Sequence, residues 1–206
     1  MIEFVVLRHG QSVADIVGRH EGRADFPLTD LGREQASLAS DWIAANVPPD
    51  VIFASPLKRA AETAQILADR LKLDVCFDDD LMEFDNGLQA GLTFAEANER
   101  FPVPAGGYKP HERVPGGESE IAFQARAELV WSGLMSTAVP GQRIAIVAHG
   151  GIITRLFRCF LQLPMSTHVR AGTGDTGIHL WRVFDDNRYV VFMNRADHLA
   201  CLGQDA

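Results

Sequence analysis

Three short apolar segments, each followed by a polar turn and then by a helical pattern, constrain the fold of this chain most strongly. They cover residues 2–7, 51–54 and 144–148 and are rich in aliphatic and β-branched residues. Short continuous apolar runs are typical of strands buried on both faces of a parallel sheet. Strands alternating with helices predict an α/β three-layer sandwich, in which a mostly parallel mixed sheet carries helices on both faces.

Capping residues and apolar spacing locate the helices. Thr29 is the expected N-cap of a helix that stops at Asn46. Ser55 and Pro56 are expected to be the N-cap and the first residue of the next helix. Further helices are predicted over residues 94–100, 118–138 and 152–161.

The remaining segments are predicted to be irregular or to form a hairpin. Residues 74–91 are acidic and read as irregular chain. Residues 102–117 are rich in Pro and Gly and predict a long loop, which inside a compact domain is more often a lid or substrate loop than an accident. Residues 177–194 alternate around Asp185-Asp186-Asn187 and predict a β-hairpin.

Composition sets the class of protein and excludes several partners. The 206 residues, 47% hydrophobic and 22% charged, fit one globular domain over 1–206. A net charge of -8 predicts repulsion of nucleic acid and of anionic membranes. Three separated cysteines without a CxxC pair favour a reducing cytoplasm over a disulfide framework, and neither a signal peptide nor a membrane span is visible.

Polar and cationic residues follow all three strands, at the edge where such sheets place their chemistry. The residues concerned are Arg8, His9 and Gly10 after the first strand, Ser55, Lys58 and Arg59 after the second, and His149 and Gly150 after the third. If the strands are parallel neighbours, these turns share one rim, with several helix N-termini. Such a rim suits a phosphate dianion, because helix N-termini bind anions through free N–H groups and the helix dipole.

Two features of the rim allow other interpretations. Lys58 and Arg59 start a helix, where the dipole disfavours cations by about 0.3–1 kcal/mol each, so a bound anion would offset a cost. By themselves, however, they are better explained as two solvated cations. His9 and His149 share a strand–His–Gly setting, which also permits a metal site. No HxH or HExxH spacing accompanies them, so phosphate ranks above metal.

At this point the sequence resembles the histidine phosphatase superfamily, also called the phosphoglycerate mutase-like family. The matching segments occur in order along most of the chain. They are Leu7-Arg8-His9-Gly10-Gln11-Ser12, Pro27-Leu28-Thr29 with Gly32 and Gln35-Ala36, Ser55-Pro56-Leu57-Lys58-Arg59-Ala60 with Glu62-Thr63, Leu81-Met82-Glu83 with Gly87 and Gly91-Leu92-Thr93, Pro115-Gly116-Gly117-Glu118-Ser119, and Val147-Ala148-His149-Gly150-Gly151.

The resemblance implies a set of catalytic roles. His9 would attack phosphorus and become phosphorylated, with its other ring nitrogen donating to a fixed acceptor. Arg8, Arg59 and His149 would surround the phosphoryl oxygens. Glu83 would protonate the leaving oxygen and later activate water, a role for which burial would raise its pKa. Without the matching block, Glu83 reads as part of a solvated acidic loop.

A further set of residues near the nucleophile is expected to bind phosphate or substrate. It comprises Gly10, Gln11, Ser12, Asp15 and Gly150. Asp15 departs from the family pattern, because many members carry Asn there and a carboxylate would repel phosphate. Asp15 is therefore expected either to cap a helix with Ser12 or to meet a cation such as Arg19.

The other histidines are interpreted as surface or packing residues. They are His20, His111, His168, His179 and His198. His111 is a partial exception because it lies with Tyr108, Lys109 and Arg113 in the predicted lid, where these side chains could touch substrate.

The preferred function is a phosphatase acting on small phosphomonoesters, with no cofactor and no metal. Related mutases usually carry an insertion after the acid-residue block, whereas residues 94–100 lead here directly into the Pro/Gly loop. A phosphoglycerate mutase-type phosphotransferase is the alternative, and a non-catalytic phosphate-binding protein is a third reading. The expected partner is a small phosphorylated metabolite, with a homodimer left open.

Overall fold

The computed structural model describes residues 1–167 and 169–202. Its strands form one six-stranded sheet in the order β3-β2-β4-β1-β5-β6. The strands are β1 (Ile2–Arg8), β2 (Val51–Ala54), β3 (Val75–Phe77), β4 (Arg143–Ala148), β5 (Ile178–Phe184) and β6 (Asn187–Arg195). Strands β1 to β4 run parallel, and β5 and β6 add an antiparallel hairpin beside β1. This confirms the predicted mixed, mostly parallel sheet and the hairpin.

Helices cover both faces of the sheet, as predicted. They are α1 (Val13–Val17), α2 (Asp30–Asn46), α3 (Lys58–Leu71), α4 (Phe94–Arg100), α5 (Glu120–Thr137) and α6 (Gly150–Phe160), and short 3₁₀ turns occur at 79–81, 87–89 and 197–202. Alternate residues of β1 divide between two cores, because successive side chains of a strand point to opposite faces. Val5 and Leu7 pack with α2 and α3, whereas Phe4 and Val6 pack with α5 and α6.

Two predictions about local structure were wrong. Residues 74–91 contain the short strand β3, which pairs with β2 at the sheet edge; three residues between acidic neighbours show too little pattern to predict. Helix α3 begins at Lys58, its N-cap Leu57 makes no side-chain cap, and Ser55 and Pro56 precede it. The hydroxyl of Ser55 is instead hydrogen-bonded to His149.

The strand register brings the predicted rim together. β4 lies between β1 and β2, and Arg8 stands beside Ala148 while Ala54 stands beside Val147. The three strands therefore end at nearly the same level. At the opposite end Glu3, buried in β1, accepts hydrogen bonds from Arg143 of β4 and Arg182 of β5. Among the described residues, no helix is long and apolar enough to cross a bilayer.

Candidate active site

His9 lies at the end of β1 with its ring buried and its tautomer set by two neighbours. Nδ1 is 2.8 Å from the carbonyl oxygen of Gly10 and so donates to it. Nε2 accepts from Nε of Arg59 at 3.3 Å, so its lone pair faces the guanidinium. Burial, reinforced by the charges of Arg59 and Arg8, lowers the pKa of His9 well below its usual range. The imidazole is therefore neutral at physiological pH, with the unprotonated nitrogen directed into the site.

His149, the N-cap residue of α6, lies against His9 with ring centroids 5.0 Å apart. Nε2 is 2.8 Å from Oγ of Ser55. Nδ1 is buried and has no hydrogen-bond partner in the described part of the chain. Burial, followed by the charge of Arg59, lowers the pKa of His149 well below its usual range. The second histidine thus also brings a neutral ring into the site.

Two guanidinium groups supply the positive charge, and backbone carbonyls hold both in place. Arg59 is completely buried and donates to the carbonyls of Ala24 and Gly22 at 3.0 and 2.8 Å. Arg8 donates to the carbonyl of Thr173 at 2.9 Å and forms an ion pair with Asp175 at 3.3 Å. Guanidinium groups bind phosphate through several planar donors, and fixing them beforehand lowers the cost of binding.

The segment 171–177, which holds Arg8, was not singled out in the sequence. The backbone N–H of Thr176 also donates to the carbonyl of His9 at 3.2 Å. The segment thus positions both members of the Arg8-His9 pair from the far side. Its contacts join positions some 165 residues apart in the chain, so no local pattern could have indicated them.

Glu83 reaches the site from the loop after β3 and is half-buried. Its carboxylate accepts from the N–H of Gly151, at the start of α6, at 2.8 Å and from the N–H of Phe84 at 2.7 Å. A Cβ at position 151 would lie 2.2 Å from Oε1 of Glu83, so only glycine permits this approach. The second glycine of the His149-Gly150-Gly151 turn therefore lets the acid approach the start of α6, two residues after His149, a role that the sequence motif did not reveal.

Arg126 of α5 anchors the loop that carries Glu83, and sequence reasoning missed it. Its guanidinium donates to the carbonyls of Asp80, Met82 and Glu83 at 2.6, 2.7 and 3.2 Å. It also pairs with Glu118 at 2.7 Å. A single buried cation thus ties three carbonyls of the acid loop to the helix behind it.

Glu21 is the second carboxylate in the site and was also missed. It lies 3.4 Å from Nε of Arg59 and 3.9 Å from Nε2 of His9, and it accepts a hydrogen bond from Oγ of Ser12. Burial raises the pKa of Glu21, and Asp15 adds to the rise, while Arg59 and Ser12 oppose it. No periodicity or capping pattern singles out this residue, since it follows His20 in an irregular stretch.

The residues predicted to bind phosphate are mostly engaged in local structure. Ser12 and Asp15 form a capping box on α1, which agrees with the capping alternative for Asp15. The side chain of Gln11 accepts from Thr29 at 2.9 Å. Gly10 packs tightly, because a Cβ there would lie 2.3 Å from the carbonyl oxygen of Gly32. The backbone of Gly150 borders a surface pocket next to Glu83.

The side chain of Lys58 is held by a local carboxylate and faces solvent. Lys58 is exposed and pairs with Asp25 at 3.3 Å, and Asp25 also accepts from the backbone N–H of Lys58. These contacts agree with the interpretation of Lys58 as a solvated cation, with a local carboxylate that offsets the helix dipole. His179 is buried and His111 is exposed, whereas His168 lies outside the described residues.

Comparison with known proteins identifies the class. The sequence model of the histidine phosphatase superfamily (branch 1) matches residues 4–196. "Phosphoglycerate mutase-like protein 4" of Arabidopsis thaliana is 30% identical over 92% of this chain and 83% of its own length. "Glucosyl-3-phosphoglycerate phosphatase" of Mycobacterium tuberculosis is 35% identical over 79% of this chain and 76% of its own. The native structure of the mycobacterial enzyme of that name superimposes with a TM-score of 0.80, at 28% identity, covering 93% of this chain and 98% of that one.

The chain belongs to the histidine phosphatase superfamily, branch 1. Within it, the protein is a phosphatase, as its relatives and the assembled site indicate. The sequence-based predictions of fold, family and enzyme class are confirmed.

Proposed function

We propose that this phosphatase hydrolyses small phosphomonoesters through a phosphohistidine intermediate on His9, without a metal ion. The state of His9 carries the proposal. Its Nδ1 donates to Gly10, and the lone pair of its Nε2 accepts from Nε of Arg59 at 3.3 Å, a hydrogen bond that attack on phosphorus replaces. A neutral imidazole beside a buried guanidinium places a nucleophile next to a group that binds the phosphate under attack.

In the first half of the reaction, Nε2 of His9 forms a bond to phosphorus as the ester P–O bond breaks. Arg8, Arg59 and the unpartnered Nδ1 of His149 surround the phosphoryl oxygens and stabilise their charge. Protonated Glu83 transfers its proton to the leaving oxygen, which departs as an alcohol.

In the second half, water attacks phosphorus and gives a proton to the Glu83 carboxylate. The bond between phosphorus and His9 breaks, inorganic phosphate is released, and the neutral imidazole is restored. Gly151 and Arg126 hold Glu83 in the position that both steps require. Gly10, Gln11, Ser12, Asp15 and Gly150 form the proposed surroundings of the phosphate.

The proposal also covers the domain organisation, the loop beside the site, the location in the cell and the binding partner. Residues 1–206 act as one domain, and the segment 102–117 acts as a lid, supported by the position of Tyr108 and Pro110 on the wall of a neighbouring cleft. Three free thiols fit a cytoplasmic protein. The partner is a small phosphorylated metabolite rather than nucleic acid or membrane, and a homodimer remains part of the hypothesis.

The test is hydrolysis of p-nitrophenyl phosphate in the presence of EDTA. We expect turnover by the wild-type protein, none by His9→Ala, and an acid-labile phosphoryl group on His9 when the reaction is quenched in alkali. Activity that EDTA abolishes and a divalent cation restores would replace this mechanism with a metallohydrolase one, and full activity of His9→Ala would remove His9 from its role.

A phosphoglycerate mutase activity is the second candidate, supported by the mutase-like relative that matches 92% of the chain. Product analysis with 3-phosphoglycerate distinguishes the two. Free phosphate indicates the phosphatase, whereas an isomerised product without free phosphate indicates the mutase. Phosphate binding without either product would indicate a non-catalytic binding protein.

A further inference from the structure

A cleft of about 700 Å³ opens beside the candidate active site, between α6, the start of α5 and the loop 102–117. Its lining residues include Tyr108, Glu120, Thr154, Arg155, Arg158 and Arg170. A smaller pocket next to it shares four of these residues and also includes Glu83 and Gly150. The cleft is thus continuous with the place where the leaving group departs, and its volume is that of a small-molecule site. We call it the arginine cleft.

Three guanidinium groups line the arginine cleft, and Glu120 is the one carboxylate among its lining residues. Arg155 and Arg158 lie three residues apart on α6, and Arg170 follows in the loop after it. Burial lowers the pKa of Arg155, and the charges of Arg158 and Arg170 lower it further. Arg155 therefore lies close enough to Arg158 and Arg170 to be repelled by both.

The partners of these arginines leave positive charge without compensation. Arg155 pairs with Glu120 and lies over the ring of Phe123 at 5.3 Å. Arg158 is only 5% exposed, donates to the carbonyls of Pro164 and Met165, and has a buried Nε without a partner in the described residues. Arg170 is exposed, and within residues 1–167 and 169–202 it forms no ion pair.

The positive charge of the arginine cleft is opposite in sign to the net charge of the protein. The chain carries a net charge of -8, yet this cleft gathers cations. Clustered arginines with free donors are a common means of recognising a carboxylate or a phosphate, because the planar guanidinium offers paired N–H donors. Arg8 and Arg59 already bind the phosphoryl group under attack in the proposed reaction, so an anion in the cleft would be a second anionic group.

We propose that the arginine cleft binds a second anionic group, a carboxylate or a phosphate, on the leaving-group side of the substrate. This inference rests on the proposed phosphatase reaction and names its substrate class: small phosphomonoesters whose alcohol carries a further oxyanion. Glu120 competes with that oxyanion for Arg155, and Tyr108 of the loop 102–117 closes the cleft from outside.

The test compares matched esters that differ only in the second anion, such as 3-phosphoglycerate and glycerol 3-phosphate, and bisphosphates with their monophosphates at several spacer lengths. Binding is measured calorimetrically on His9→Ala protein, so that affinity is read without turnover. We expect at least one ester that carries a second anionic group to bind about 10–100-fold more tightly than the matched ester without that group. Preference in the carboxylate pairs or in the bisphosphate pairs identifies the oxyanion.

Substitutions in the arginine cleft test whether its side chains cause this preference. Arg170→Gln and Arg155→Gln should remove most of this preference, and Glu120→Gln should increase it, because Arg155 is then released. Arg70→Gln, an exposed arginine on α3, serves as the matched control and should leave the preference unchanged. Arg170→Gln guards against misfolding, since its side chain is exposed.

Hydrolysis of p-nitrophenyl phosphate by each variant in the His9-containing protein keeps the two proposals separate. That substrate lacks a second anion, so Arg170→Gln and Glu120→Gln should hydrolyse it at the wild-type rate. Equal affinity for every matched pair, or a preference that survives in Arg155→Gln and Arg170→Gln, would overturn the anion site while leaving the phosphatase intact. Loss of p-nitrophenyl phosphate hydrolysis in the wild-type protein would instead overturn the proposed function.

Discussion

The carboxylate of Glu21 lies 3.9 Å from Nε2 of His9, on the side of the ring that the proposed reaction requires to be open to phosphorus. The same carboxylate lies 3.4 Å from Nε of Arg59 and accepts from Ser12. An anionic side chain thus stands where a phosphoryl oxygen would bind. Phosphate and ionised Glu21 compete for the same positive charge, and they repel each other.

The first prediction concerns this competition. Five groups face Glu21: His9, Ser12, Asp15, Arg8 and Arg59. Because burial raises its pKa, Glu21 stays protonated to a higher pH than an exposed glutamate and becomes a repelling anion as the pH rises further. Glu21→Gln should lower the KM for p-nitrophenyl phosphate several-fold at neutral to alkaline pH and much less in acid. KM measured against pH for both proteins checks this; parallel profiles would contradict it.

A second prediction follows from the depressed pKa of His9. Attack requires the neutral ring, and burial together with Arg59 and Arg8 keeps the ring neutral well into the acid range. As the pH is lowered, kcat/KM should therefore not decrease with an apparent pKa of about 6.5, the ordinary value for histidine. The profile is to be corrected for the ionisation of the substrate by titrating the ester on its own. An acid limb centred on the ordinary histidine value would show that the ring is not held neutral.

The third prediction tests the approach of Glu83 to α6. Gly151→Ala places a Cβ 2.2 Å from Oε1 of Glu83 and must displace that carboxylate. We expect kcat to fall about 10²-fold, as for a misplaced general acid. Gly133→Ala is the matched control, because a Cβ there meets nothing within 4 Å in the middle of α5. Similar kcat values for the two variants would mean that Glu83 does not act from this position.

The fourth prediction concerns Arg126 as a positioning residue. Arg126→Met removes the donors for the carbonyls of Asp80, Met82 and Glu83 and takes away the cation that pairs with half-buried Glu118. The free energy of unfolding should fall by about 3 kcal/mol. In the protein that remains folded, kcat should fall while KM changes little, since the phosphate contacts are untouched. Arg126→Lys should recover part of kcat; a change in KM alone would contradict the assignment.

Local patterns were sufficient wherever the structure depends on neighbouring residues. The Thr29 cap, the Ser12–Asp15 capping box and the helix at 94–100 were all predicted, because each is set by residues three or four positions apart. The pairing of Ser55 with His149 was not, because 94 residues separate them and a serine before a helix has an equally good local use as a cap.

By itself, the sequence determined the α/β sandwich and the cluster of Arg8, His9, Arg59 and His149. Buried parallel strands must end at a common edge, so residues that follow them are brought together whatever the details of the loops. Only the tertiary structure decided which groups complete that cluster. Glu21, Gly151, Arg126 and the segment 171–177 come from irregular chain or from helix faces, and their positions follow from packing contacts across the fold rather than from any periodicity. In the arginine cleft, Arg155 and Arg158 are already neighbours on one helix, but Arg170 joins them only when α6 and the loop after it are folded against each other.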